Sequence, residues 1–265
     1  MIIPNAYYIL MYGNYSLIVL YWYQREILME FDEQRYTEQT ALLDYTHPTI
    51  AALIQKQGWL TLPTLSSRIA AVYTFVRDAI PFGYAEHFAV PASQVLAQGM
   101  GNCLTKTTLL MALLRAAGIP CRLKAAMISK VIHRGLLGEV SFLFSPRHLH
   151  HAWAEVRYQD QWIEVGGHIV DRPYLEKLQQ KFANFIGSFY GYGIAVTHFR
   201  NPPISWEEEE TEIQSKAIRE SLHTFNDPDA FFISYPEAER RTHCLTYKLI
   251  LRPKLNRSIR KLRNS

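Results

Sequence analysis

The sequence predicts an α+β fold in which one apolar helix packs on an antiparallel sheet, with further helices before and after it. Two patterns carry this expectation. Between residues 48 and 117 apolar side chains recur at three-and-four spacing, the mark of buried helix faces. Between 121 and 165 the period drops to two, and a polar pair, Gln159-Asp160, separates two strand-like runs. With 265 residues, 48% of them hydrophobic and 20% charged, the chain can bury a core and does not have a disordered composition.

The first segment, Ile2 to Gln24, carries no charged side chain and is rich in Tyr, Ile and Leu. It is long enough for a transmembrane helix, although Pro4, Asn5, Gly13, Asn14 and Ser16 interrupt it. It lacks the basic start and small-residue cleavage site of a signal peptide. Two readings stand: a membrane anchor, or an extension upstream of a start at Met29. Residues 1–28 are therefore taken as a hydrophobic extension, 29–200 as the main domain, and 201–265 as a helical extension with a basic tail.

Helices are expected over Pro48 to Lys56 and Ser66 to Asp78, the second with Ile69, Val72, Tyr73 and Val76 on one face and a stop at Pro81 and Gly83. A short helix over Ala92 to Gln98 has Pro91 before it and Gly99 after it. Gly99, Met100 and Gly101 then turn into a helix from about Cys103 to Ala117, closed by Gly118, with Thr107, Leu110, Met111 and Leu114 as its apolar stripe. Strands follow at Cys121 to Ile128, His151 to Tyr158 and Gln161 to Val165, the last two forming a hairpin. The loop between the first two, Ser129 to His150, is long enough to be functional or mobile. Beyond it, Tyr174 to Phe185 and Glu212 to Leu222 read as helices.

Charge excludes little. A net +4 argues neither for nucleic acid nor for an acidic substrate. The acidic run Glu207 to Glu210 and the stretch Lys248 to Arg263, with seven Lys or Arg and no acid, read as a solvated face and a frayed tail. Cys103, Cys121 and Cys244 form no CxxC pair and no disulfide framework, so a reducing, cytoplasmic setting is the simpler one unless residues 2–24 anchor the chain. Cys121 and Cys244 read as structural.

Cys103 stands apart because it opens a helix, where free backbone N–H groups and the dipole favour a thiolate. The Gly-Met-Gly turn before it leaves its own N–H free to face a developing oxyanion. His151 opens a strand that the sheet could bring beside it as a base. Gln98 and Asn102 are the nearest polar side chains, candidates for a second oxyanion donor or ordinary helix-end residues.

The run Gly101-Asn102-Cys103-Leu104-Thr105-Lys106-Thr107, continuing through Leu113-Leu114-Arg115-Ala116-Ala117-Gly118-Ile119-Pro120, resembles the nucleophile helix of the transglutaminase-like superfamily. His151-Ala152-Trp153-Ala154-Glu155-Val156, followed by Trp162, resembles its histidine strand and the strand after it. Phe75-Val76-Arg77-Asp78 and Pro91-Ala92-Ser93 are similar to its bacterial members, and the likeness covers roughly Asp44 to Asp171. The resemblance implies a papain-like core with Cys103 as nucleophile and His151 as base. It implies acyl transfer through a thioester from amide bonds of peptides or proteins, with no cofactor.

The sequence departs from the family at the third member of the triad. An Asp commonly follows the Trp strand, yet Val165 leads into Gly166-Gly167. Asp171 is the expected substitute, reaching back across a glycine bulge, with the alternative that it only caps the segment at Arg172-Pro173-Tyr174. Glu164 and His168 are weaker candidates. His148, His150 and His151 invite a metal reading, but no carboxylate or cysteine accompanies them and no metal is expected. The expected partner is a peptide or protein substrate, with no nucleic acid, and a membrane only through residues 2–24. The rival reading is an inactive member of the family that keeps the fold as a binding module.

Overall fold

Helix starts in this chain are built by local capping. The structure, a computed structural model, describes residues 34–265, of which 36–265 form one compact unit. Helix α1 (Pro48–Gln57) begins at His47, whose side chain accepts from the Thr49 N–H. Helix α2 (Leu65–Ala79) begins with a reciprocal Thr64–Ser67 capping box and buries Ile69, Val72, Tyr73 and Val76, the expected stripe. Helix α3 (Ala92–Gln98) has the expected bounds. Helix α4 (Cys103–Ala116) starts at Asn102, which accepts from Leu104 and Thr105 while Thr105 bonds back to it. Every side chain of α4 from Leu104 to Arg115 is buried, so this helix runs through the core rather than along its surface.

Strand β1 (Cys121–Ser129) leads through a 3-10 turn (Lys130–His133) and the short helix α5 (Glu139–Leu143) to β2 (His148–Tyr158). Strand β3 (Gln161–Val165) returns from the turn at Gln159 and Asp160, both with positive φ. Helix α6 (Arg172–Lys181), the ribbon β4 (Phe189–Gly191) and β5 (Ile194–Val196), strand β6 (Ile218–Phe225), and helices α7 (Pro228–Ser234), α8 (Pro236–His243) and α9 (Arg252–Arg263) complete the order. The main sheet runs β3-β2-β1-β6, antiparallel throughout. In the β1–β2 ladder Cys121, Leu123 and Ala125 face Val156, Ala154 and Ala152, and this side packs with α4 in the main core. The other side carries Arg122, Lys124, Trp153 and Glu155, where Arg122 bonds Glu155 at 2.6 Å.

Two expectations are corrected. Glu212 to Leu222 is not helical: a 3-10 turn (Ser215–Ala217) leads into β6, which pairs with the free side of β1. Ile218, Leu222 and Phe225, its half-buried residues, are spaced four and three apart and imitate a helix. They can do so in a strand because the register shifts between Lys124 and Ala126 and between Met127 and Ile128 break the alternation. The basic stretch is no frayed tail. It folds as a π turn (Tyr247–Leu251) running into α9, which buries Leu255, Ile259 and Leu262. No described helix is long and apolar enough to cross a membrane, and the run Ile2 to Gln24 lies outside the described residues.

Candidate active site

The turn ahead of α4 is clamped before it reaches Cys103. Gly101 donates to Pro81 O at 3.1 Å and accepts from Gly83 N at 2.9 Å, so residues 81–83 and 101 run side by side. A Cβ on Gly101 would lie 2.5 Å from Thr105 Oγ1, inside the capping box, which is why this position needs glycine. Cys103 then takes the first helical position. Burial pushes its thiol up to about 11, while the N–H groups of Ala152, Leu104 and Cys103 itself act on the sulfur in the opposite direction.

Ala152 places β2 against this helix end. Its N–H faces the Cys103 sulfur and its carbonyl accepts from Thr107 Oγ1 at 3.2 Å, so Cys103 and Thr107, one turn apart, both meet the β2 backbone. His151, the residue before Ala152, is 3% exposed and stacks on Trp153 with ring centroids 5.2 Å apart. Its Nδ1 has no hydrogen-bond partner among the described residues, and burial pushes the imidazole down to about 3. The β2–β3 ladder ends at Ala154 opposite Val165, which brings Gly166 alongside Trp153, its missing Cβ 3.7 Å from that of Trp153. His168 is fully buried just beyond, between Val165 O (2.7 Å) and Thr107 Oγ1 (3.2 Å). Burial, the Lys106 charge and the His151 ring push it down to about 3 against the Val165 carbonyl.

The remaining expected residues lie elsewhere. Asp171 is the N-cap of α6: it accepts from Tyr174 N at 3.1 Å and Phe82 N at 2.7 Å, and pairs with Arg263 of α9 at 2.5 Å. Burial works to raise its carboxyl, but Arg263 and these donors hold it below the usual carboxylate range. The structure therefore shows Asp171 as a cap and tether, not as a partner of His151. Gln98 is exposed at the end of α3 and lines neither of the cavities described below, and Asn102 is spent on capping. Glu164 bonds Trp153 Nε1 at 2.8 Å and pairs with Lys124. Cys121 is buried, whereas Cys244, expected to be structural, is exposed beyond α8.

Two cavities flank the β2 start. One, of about 300 Å³, opens on Cys103 and is walled by residues that include Phe82, Tyr84, Leu137, His150, Gln214 and Tyr247. The other, of about 220 Å³, holds His151, Trp153, Gly166, Gln214 and Ser215. Gln214 belongs to both walls, and its Oε1, the Ser215 Oγ and His151 Nδ1 are buried without partners. His133, in the first cavity, has both nitrogens unpartnered among the described residues. Sequence patterns carried no signal for Gln214 or His133, whereas Thr107 could have been found from its i+4 spacing to Cys103. His150 turns to the opposite side of β2 from His151, 3.2 Å from Glu237, so the three neighbouring histidines do not converge. Among the described residues the group with metal-holding spacing is instead His87, Glu239 and His243, where Glu239 Oε1 lies 3.0 and 3.3 Å from the two imidazoles.

Comparison with known proteins gives a family match over part of the chain. Residues 51–166 match the transglutaminase-like superfamily, an interval that runs from α1 to Gly166 and contains both Cys103 and His151. No curated protein matches the chain. Among solved structures, a Cytophaga hutchinsonii protein provisionally named as a cysteine protease is similar at 16% identity and a TM-score of 0.40, over 50% of this chain and 40% of that one. Red sea bream transglutaminase is similar at 14% identity and a TM-score of 0.28, over 49% of this chain and 25% of that one. The segment 51–166 of this chain, with its α+β core, is thus similar to the transglutaminase-like superfamily.

Proposed function

We propose that Cys103 and His151 form the thiol and imidazole pair of an acyl-transfer enzyme acting on amide bonds through a thioester. The observation that supports this reading is that the N–H of Ala152, the residue after His151, acts on the Cys103 sulfur at the start of α4, while Ala152 O accepts from Thr107 one turn on. His151 takes the thiol proton as the sulfur attacks the carbonyl carbon. The N–H of Cys103 faces the oxyanion, and His151 returns the proton to the departing amine. Water acting on the thioester makes the protein a hydrolase; a second amine makes it an acyltransferase. Peptides and proteins are the natural donors for such chemistry.

Burial favours the uncharged form of both groups, so the resting pair is thiol and imidazole, and proton transfer accompanies attack. A binding module without activity is the second reading, favoured by Gly166 standing where an orienting carboxylate is expected. Iodoacetamide alkylation of Cys103 across pH, compared with His151→Ala, separates the two. The enzyme reading expects alkylation that slows at least tenfold in the variant near neutral pH. An ordinary thiol titration unchanged by the substitution leaves the binding module.

A further inference from the structure

The cavity beside Cys103 has a composition that restricts what the thiol can carry. Apolar and aromatic side chains, among them Phe82, Tyr84, Ile128, Leu137, Tyr247 and Leu255, provide most of its wall, with Asn102, His150, Gln214 and Thr246 among the polar exceptions. Among the described residues Arg241 is the one Lys, Arg, Asp or Glu lining it, and one of its guanidinium nitrogens donates to His148 O at 2.8 Å. His133 stays neutral there, because burial pushes it down to about 4, and Tyr84 meets its ring edge-on at 5.4 Å. A charged or strongly polar acyl side chain would lose its water on entering a mostly apolar wall, where a cation finds no counter-charge and an anion finds only Arg241.

The mouth continues the same character. Phe144 is 82% exposed on the rim itself, and Leu143, Leu245 and Leu249 are each 70% exposed or more in α5 and in the segment around Cys244 and Tyr247. Phe144 thus joins the cavity wall to solvent, and the three exposed leucines are near chain neighbours of the lining residues Phe144, Cys244, Thr246 and Tyr247.

We propose that the acyl group this site takes onto Cys103 is uncharged and apolar, an aliphatic or aromatic chain seated in this cavity with its carbonyl at the sulfur. The proposal rests on the thiol acyl-transfer reading above. In the step it describes, the Cys103 sulfur forms a bond to the acyl carbon, the bond from that carbon to the leaving nitrogen or oxygen breaks, and the thiol proton goes by way of His151 to the leaving group. Water then hydrolyses the thioester and returns the thiol and an apolar carboxylic acid. A straight acyl chain and a hydrophobic amino-acid residue share this chemistry, and the arms of the test tell them apart.

The test uses the full chain with p-nitrophenyl esters of acetate, butanoate, hexanoate and octanoate in one arm, and of N-acetyl-leucine, N-acetyl-phenylalanine and N-acetyl-glutamate in the other. Acylation of Cys103 is read by intact mass alongside kcat/KM. The expected result is a rise of about fourfold in kcat/KM per added methylene until the cavity fills, from the burial of each CH₂. In the amino-acid arm the leucine or phenylalanine ester should exceed the glutamate ester by at least tenfold. The arm with the higher kcat/KM names the source of the chain. Leu137→Trp should flatten the chain-length profile, and Phe144→Asp, at an exposed position that tolerates the change, should lower octanoyl relative to acetyl turnover. Acylation of Cys103 with a flat or falling profile in both arms overturns the apolar acyl group and leaves the thiol reading standing. Failure of every ester together with unactivated iodoacetamide alkylation overturns both.

Discussion

Replacing Gly166 by Asp restores a carboxylate where this chain has none, and the structure gives the size of the response. Residue 166 lies beside Trp153, on which the His151 ring stacks at 5.2 Å, and it lines the same cavity as that ring. Its φ is −89°, so a side chain adds no backbone strain. The new Cβ would lie 3.3 Å from Thr211 O and 3.7 Å from Trp153 Cβ, which asks for a shift of a few tenths of an ångström. A carboxylate within reach of the imidazole favours its protonated form by about one to three pH units, lifting His151 from about 3 towards the range where it can hold a proton taken from Cys103. Each such unit is worth about tenfold in the charged pair, so iodoacetamide alkylation of Cys103 at pH 7 should accelerate by about 10- to 1,000-fold. The midpoint of the alkylation profile should move to lower pH. If rate and midpoint stay where they were while the variant melts like the parent, then His151 does not serve Cys103, and the pairing is refuted.

Three further outcomes follow from contacts around the site. Thr107→Val removes the hydroxyl that bonds Ala152 O and meets His168, leaving two buried groups unpaired, and should cost about 1–3 kcal/mol in urea unfolding. Arg263→Ala leaves the Asp171 carboxylate, 2% exposed, without its counter-charge and should cost about 3 kcal/mol, read as a loss of α9 protection in hydrogen exchange. His133 has a folded value of about 4 against about 6.5 unfolded, so the unfolded chain binds the extra proton between those values. Its share of stability is complete above about pH 6.5 and is lost as pH falls towards 4; His133→Leu should reduce the pH slope of unfolding there by up to about 1.4 kcal/mol per pH unit.

What could be read from the sequence is what neighbouring residues decide. Helix α3 lies between Pro91 and Gly99, and α4 starts at Asn102 with its Thr105 partner, so both ends are written within a few residues. The hairpin of β2 and β3 is equally local, closed by Gln159 and Asp160. Cys103 lies at the helix start that was expected, whereas His151, expected to open its strand, is the fourth residue of β2, which begins at His148. Strand β6 was not, since Ile218, Leu222 and Phe225 follow a helical spacing and only the irregular edge of β1 makes them a strand. In α9 six basic residues obscured Leu255, Ile259 and Leu262, whose burial depends on the α6 and β4 region that they cover. Asp171 carried both a triad reading and a capping reading, and the choice between them is made by Arg263, 92 residues away.

In the pair we propose, the uncharged resting forms and the missing carboxylate make sense together. An acid at residue 166 serves to stabilise an imidazolium, but a thiolate facing the apolar cavity and an imidazolium as buried as His151 would each lose hydration. Burial instead holds Cys103 as thiol and His151 as imidazole. A neutral base still needs one tautomer, because the ring nitrogen turned away from the sulfur must carry a proton and find an acceptor for it. Gln214 Oε1 and Ser215 Oγ are acceptors with unused capacity in the walls of the His151 cavity. Gln214 is held there by its Nε2, which donates to Gly193 O at 2.5 Å, so its free oxygen is fixed in place. Dipoles of this kind can orient the imidazole without adding charge to the site, and the charge then appears only when a substrate carbonyl is present to take up the negative end of it at the start of α4.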